Sequence, residues 1–164
     1  MRRAICFIEP VYAKAGEATT WKFVYTAALD LPKGALFKFD LLSRGSPQEW
    51  QIPQTNLKLK KNLIWAESLN HKITARQIED PKTLNAQFEF ILPANLKTGE
   101  TFTIFMGTPN KSEKDGNRAQ LFTARKRTFM LYIDPKGKGD YKESETFHLD
   151  VKGGLLKNLS ILTP

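Results

Sequence analysis

The stretch Ala15-Gly16-Glu17-Ala18-Thr19-Thr20-Trp21-Lys22-Phe23-Val24-Tyr25-Thr26-Ala27 constrains this chain most. A turn of small residues feeds a segment in which Trp21, Phe23 and Tyr25 fall on one side and Lys22, Val24 and Thr26 on the other. That two-residue period is what a strand with one buried face requires; a helix would scatter the three aromatic residues around its axis. The same pattern recurs from end to end. It places strands at residues 3–8, 20–27 and 36–42, the last following the Pro32-Lys33-Gly34 turn. Further strands are expected at 57–60, 62–68, 71–78, 84–92, 101–107, 119–124, 127–133, 145–151 and 155–162, with Gly153-Gly154 as a hairpin signal between the final two.

Helix signals are weak. Residues 74–84 lack an apolar stripe at helical spacing and contain Pro81, so a turn is expected there. Residues 43–54 carry Gly45, Pro47, Pro53 and three glutamines, and read as a long loop presenting an exposed Trp50. Residues 109–118 contain no apolar side chain and read as a solvated loop. About ten short strands with turn signals between them, and no helical crossovers, predict an all-β fold: an antiparallel β-sandwich of immunoglobulin-like character. At 164 residues the chain is expected to form a single sandwich domain over 1–164, as the N-terminal part of a longer protein or free-standing.

Composition agrees with a core built on strands, since eleven phenylalanines supply bulk that a pleated surface packs well. A lone cysteine, Cys6, excludes an intrachain disulfide and permits a reducing compartment. Met1-Arg2-Arg3 precedes an apolar run that is too short for a signal peptide and ends at Glu9-Pro10. No run approaches the length of a membrane span, so a cytoplasmic location is the expectation. The net charge of +8 suits an anionic partner.

Motifs for catalysis or cofactors are missing. His71 and His148 lie in different expected strands, with no pair of donors at a metal-ligand spacing. Asp134, Asp140, Glu143 and Glu145 surround a glycine-rich turn, but Lys136, Lys138 and Lys142 intrude and the spacing matches no calcium loop. Gly45-Ser46-Pro47 lacks the flanks of a nucleophile elbow, and no phosphate-binding glycine loop occurs. What remains is a basic surface with a tryptophan: Lys58, Lys60 and Lys61 in one cluster, Arg125, Lys126 and Arg127 in a second, and Trp50. The favoured reading makes the clusters solvated or edge-protecting and Trp50 a lid over the open end of the sandwich, and the other makes them a ligand or partner surface. Phosphate contact combined with base stacking is how nucleic acid is gripped. Alternation turns Phe129 inward with Leu131 and Ile133, which leaves charge without a stacking platform and argues against nucleic acid.

Several of these segments together resemble a known arrangement. Ile8-Glu9-Pro10-Val11-Tyr12-Ala13-Lys14-Ala15-Gly16, Thr20 to Thr26, and Pro32-Lys33-Gly34-Ala35 are similar to the start of a family of uncharacterised bacterial proteins. In that family an N-terminal β domain precedes a metal-dependent domain of the polymerase-and-histidinol-phosphatase (PHP) type. Phe129 to Tyr141, Leu149 to Gly154 and Leu159 to Pro164 resemble the closing strands of the same β domain, whereas residues 55–87 match nothing in it. The resemblance implies that the metal-binding histidines and aspartates lie beyond Pro164 or are missing, that no cofactor is held here, and that Trp21, Phe23 and Tyr25 form core. The expected role is a non-catalytic accessory or interaction domain whose partner is a linked or separate protein domain. The alternative is a module that binds carbohydrate or a polyanion.

Overall fold

A computed structural model describes residues 3–154. Its strands, in chain order, are β1 (Ile5–Glu9), β2 (Tyr12–Lys14), β3 (Ala18–Thr19), β4 (Trp21–Thr26), β5 (Leu36–Asp40), β6 (Leu63–Ser68) and β7 (His71–Thr74). They continue as β8 (Arg76–Glu79), β9 (Ala86–Ile91), β10 (Thr101–Gly107), β11 (Asn117–Arg118), β12 (Ala124–Asp134) and β13 (Glu143–Lys152). A five-stranded sheet, β1-β4-β10-β6-β7, faces a six-stranded one, β2-β13-β12-β5-β9-β8, and β3 pairs with β11 beside them. All described pairings are antiparallel except that of β2 with β13. The fold is an all-β sandwich, as the alternation predicts.

The core is stacked in aromatic layers between the sheets. Midway along the strands, Phe23 of β4 meets Phe39, Phe129 and Phe147 of the opposite sheet at ring separations of 4.8, 4.9 and 5.5 Å. One layer along, Tyr25 packs on Phe37, and Phe37 stacks on Phe102 at 4.1 Å. Edge-to-face and offset pairs of this kind add to the burial of their large apolar area. Because Trp21, Phe23 and Tyr25 alternate along one strand, each feeds a different layer, and all three are buried.

Twice the chain passes from one sheet to the other without a connecting loop of any length. Residues 10–11 carry it from β1 to β2, and Ala75 alone separates β7 from β8. The expected strand over 71–78 is therefore two strands, because its halves hydrogen-bond to different sheets. The expected strand over 57–60 does not form: the Asn56 side chain accepts from the Lys58 backbone N–H at 3.0 Å, and Lys60 adopts a φ of 46°. A local side-chain bond has displaced the ladder there. Residues 119–123 are likewise not strand, since the Ala119 and Leu121 amides donate to the loop carbonyls of Glu17 and Gln48. The strand expected at 155–162 lies outside the described residues.

Candidate functional site

The ends of the sandwich differ, and all the basic candidates converge on one of them. At that end β4 begins, β5, β10 and β13 finish, and β6 and β12 start. Residues 43–62 and 108–123 close it.

Trp50 is not an exposed stacking side chain; it closes the end of the sandwich from within, as the lid reading has it. It is fully buried, with its ring 5.2 Å from Trp21 and 5.1 Å from Phe129. The cause is a polar anchor in the opposite loop. Asn117, itself fully buried, accepts from Trp50 Nε1 through Oδ1 at 2.6 Å and from Trp21 Nε1 through its carbonyl at 3.0 Å. Its Nδ2 donates to the Gln51 carbonyl at 2.9 Å and to Asn62 Oδ1 at 2.8 Å. With both indole N–H groups satisfied, two tryptophans can be buried at no polar cost. The 109–118 loop is solvated at its tip only, because its end at Gly116 and Asn117 is pinned inside. Nearby, β10 ends at Gly107, whose φ is 150°; a Cβ there would come within 2.6 Å of the Thr20 backbone, so glycine is required.

Arg127 belongs to this plug as well. Its guanidinium lies over the rings of Phe129 and Trp50, at 4.3 and 5.6 Å from their centroids. It donates to Gln120 Oε1 at 2.9 Å, to the Leu41 carbonyl at 2.6 Å, and to the Thr128 carbonyl. Burial lowers its pKa to about 10, while Glu49 and Asp40 pull it back up, so it stays charged at neutral pH. Each N–H that it uses this way is withdrawn from any ligand. Trp50 and Arg127 are thus internal supports, and no ligand surface can be built on them.

The other five basic candidates are exposed. Lys61 pairs with Asp115 at 3.6 Å. A bulge between Ala124 and Arg127 throws Arg125 and Lys126 out of the ladder, with the Lys126 amide held on Asp150 Oδ1 at 3.0 Å. Lys58 and Lys60 sit on the loop before β6, whose Lys60 carbonyl is anchored by Thr108 Oγ1 at 2.6 Å.

Among the described residues, no group of three His, Cys, Asp or Glu side chains stands close enough to hold a metal ion, and no helix is long and apolar enough to cross a membrane. His148 is exposed, its ring nitrogens 3.1 Å from Thr128 Oγ1 and 3.1 Å from Thr146 Oγ1. Asp134 accepts from the backbone amides of Gly139, Asp140 and Lys136 at 2.6, 3.1 and 3.1 Å. Burial acts to raise its pKa, but these donors outweigh it and hold the carboxyl below its ordinary range. Cys6, half-buried, is pushed up to about 12 by burial, with Glu145 adding to the rise; such a thiol stays protonated and unreactive.

A second surface was missed by sequence reasoning. Ile5 and Phe7 of the edge strand β1, which has no lysine, are 62% and 42% exposed, and Val11 in the crossing to β2 is 75% exposed. Edge strands usually carry charge against unwanted pairing. The signal that could have found it is the uncharged run from Ala4 to Ile8 set against a chain of net charge +8.

The chain is similar over its whole length to three uncharacterised proteins of chlamydiae. Identity is 44% over 168 residues to one of Chlamydia muridarum, 45% over 170 to one of Chlamydia pneumoniae, and 42% over 168 to one of Chlamydia trachomatis. In each case all of this chain is matched, and it spans 27% of the length of the relative. No family model matches the chain.

Proposed function

We propose that this chain acts as a non-catalytic accessory β-sandwich domain of a larger protein, packed against the remainder through the apolar flank at β1. The observation that carries this reading is its extent in the relatives, which holds 27% of their length and leaves most of each protein outside it. Ile5, Phe7 and Val11 are apolar area that a neighbouring domain would cover. In its finer form the neighbour is a metal-dependent domain of the PHP type, as the family resemblance implies, and the sandwich is immunoglobulin-like, a reading supported by the two edge crossings. The test is hydrogen exchange on the full-length Chlamydia pneumoniae relative against its excised matching segment. Slower exchange around the positions aligned with Ile5 to Tyr12 in the full-length protein is expected; identical exchange there overturns the docking.

A second reading, anion binding, is favoured by the convergence of both basic clusters on one end of the sandwich. Its carbohydrate form depended on a stacking Trp50 and is withdrawn, since that ring is buried. Its polyanion form predicts retention on heparin that weakens with salt and with Arg125→Ala plus Lys126→Ala; retention unaffected by either removes it.

A further inference from the structure

The basic end of the sandwich is also where exposed apolar side chains stand among the charges. Leu59 lies between Lys58 and Lys60 and is 58% exposed. Leu121 and Phe122, 50% and 51% exposed, immediately precede the bulge that displays Arg125 and Lys126. Both loops are fastened to their surroundings by hydrogen bonds. Leu59 sits on the Asn56 turn, and the loop is tied to β10 through Thr108 Oγ1 and to the neighbouring loop through the Asn62 amide on the Asp115 carbonyl at 2.7 Å. The Leu121 amide is held by the Gln48 carbonyl at 2.9 Å, and Gln120 Nε2 donates to the Phe122 carbonyl at 3.0 Å. Neither loop can turn its apolar residue inward, because the space beneath is filled by Trp50, Trp21 and Arg127.

Three acidic groups at this end accept from backbone amides, while Glu113 is exposed and Asp115 pairs with Lys61. Glu17 accepts from the Lys14 amide at 2.9 Å, Glu49 from the Arg44 amide at 2.7 Å, and Asp150 from the Lys126 amide. Among the described residues three ion pairs form, and of the five exposed basic candidates only Lys61 takes part. The result is a surface of unpaired ammonium and guanidinium groups with aliphatic and aromatic tips between them.

We propose that this end docks the protein on an anionic lipid surface, with Leu59, Leu121 and Phe122 entering the headgroup layer and Lys58, Lys60, Arg125 and Lys126 meeting the lipid phosphates and carboxylates. Charge complementarity selects the occupant: basic residues near an anionic bilayer are attracted within a Debye length, and apolar tips add burial at the headgroup boundary. Nucleic acid fits less well, because Phe122 is the one aromatic ring among the three exposed apolar tips and both tryptophans at this end, Trp21 and Trp50, are buried, which leaves no run of rings for successive bases. This inference rests on the reading of that end as an anion-binding surface and narrows it to one ligand.

Co-sedimentation of the purified chain with sonicated vesicles tests it, using phosphatidylcholine alone and phosphatidylcholine with about 30% phosphatidylserine. Binding to the anionic vesicles at least tenfold above the neutral ones is expected. It should fall by a further factor of ten or so in Leu59→Asp with Phe122→Asp, while far-UV dichroism and the melting temperature stay at wild-type values. Raising salt from roughly 0.1 to 0.5 M should weaken it severalfold by screening. Failure to bind anionic vesicles overturns the proposal, as does binding that the Leu59/Phe122 variant leaves intact. Heparin or single-stranded DNA, run in parallel, separates the two levels. Retention on either without vesicle binding leaves the polyanion reading standing and removes the lipid one, and no interaction with any of the three removes both.

Discussion

The two ends of this sandwich are closed by different physics. At the end where β4 and β12 finish, the connections are shorter, from two residues between β6 and β7 to nine between β4 and β5 and between β9 and β10. There a carboxylate or amide side chain accepts backbone N–H groups within its own turn or the adjacent one: Asp30 takes Thr98, Asn95 takes Lys33, Glu100 takes Lys97, and Asp134 takes three. At the opposite end long loops are joined by single residues that serve many partners. Asn117 bonds four groups, and Arg127 reaches four side-chain or carbonyl acceptors while covering two rings. The first end is a set of independent fastenings; the second is one shared knot.

The knot should break hard and non-additively. Trp50→Ala leaves a cavity beside Trp21 and Phe129 and strips Asn117 of a donor, and is expected to cost about 3–5 kcal/mol in urea unfolding. Asn117→Ala leaves the indole N–H of Trp50 and the carbonyl of Gln51 without partners, at about 2–4 kcal/mol. The double variant should cost clearly less than the sum, since each single change already undoes the other's bond; full additivity would show the knot to be two separate contacts.

Changes at the turn end should be smaller and independent. Asp134→Asn is expected to lower the urea midpoint, with a gap from wild type that depends on acid. The folded carboxyl titrates below its ordinary 3.8, so its contribution is complete above that pH and is lost as pH falls through the depressed value. The midpoints should therefore differ by a constant amount near neutrality and draw together below pH 3.8; a gap that persists in strong acid would assign the effect to shape and not to charge. Pairing this change with Asp30→Asn should be additive, in contrast to the Trp50 and Asn117 pair. The least effect is expected of Lys61→Ala, whose side chain is 73% exposed in its pair with Asp115: about 0–0.5 kcal/mol by the same assay.

The same contrast explains what could be read from residues in a row. Turns announce themselves locally, so Pro32-Lys33-Gly34 and the Asp134 to Gly139 turn were legible, as was the inward face of Phe129, Leu131 and Ile133. The knot was not legible, because Asn117 lies 66 residues and more from the loop it holds and looks, in sequence, like one more polar residue of a solvated tip. Trp50 and Arg127 were harder for different reasons. Period assigns a face only within a strand, and Trp50 has no strand; Arg127 shares the parity of the inward Phe129, Leu131 and Ile133, but its place in a basic cluster hid that signal. The halves of 71–78 alternate acceptably as one strand, and only the identity of the partner sheets divides them at Ala75.

The parallel pairing of β2 with β13 has a mechanical consequence. Ile5, where β1 begins, stands at the turn end, and Lys152, where β13 finishes, stands at the loop end. Tension between those two points runs along the strands and loads the β2–β13 hydrogen bonds side by side, in shear, so they must rupture together and not peel one after another. Hydrogen bonds loaded in this way hold against extension far better than those of a hairpin peeled from one end, and the two points stand a full strand length apart.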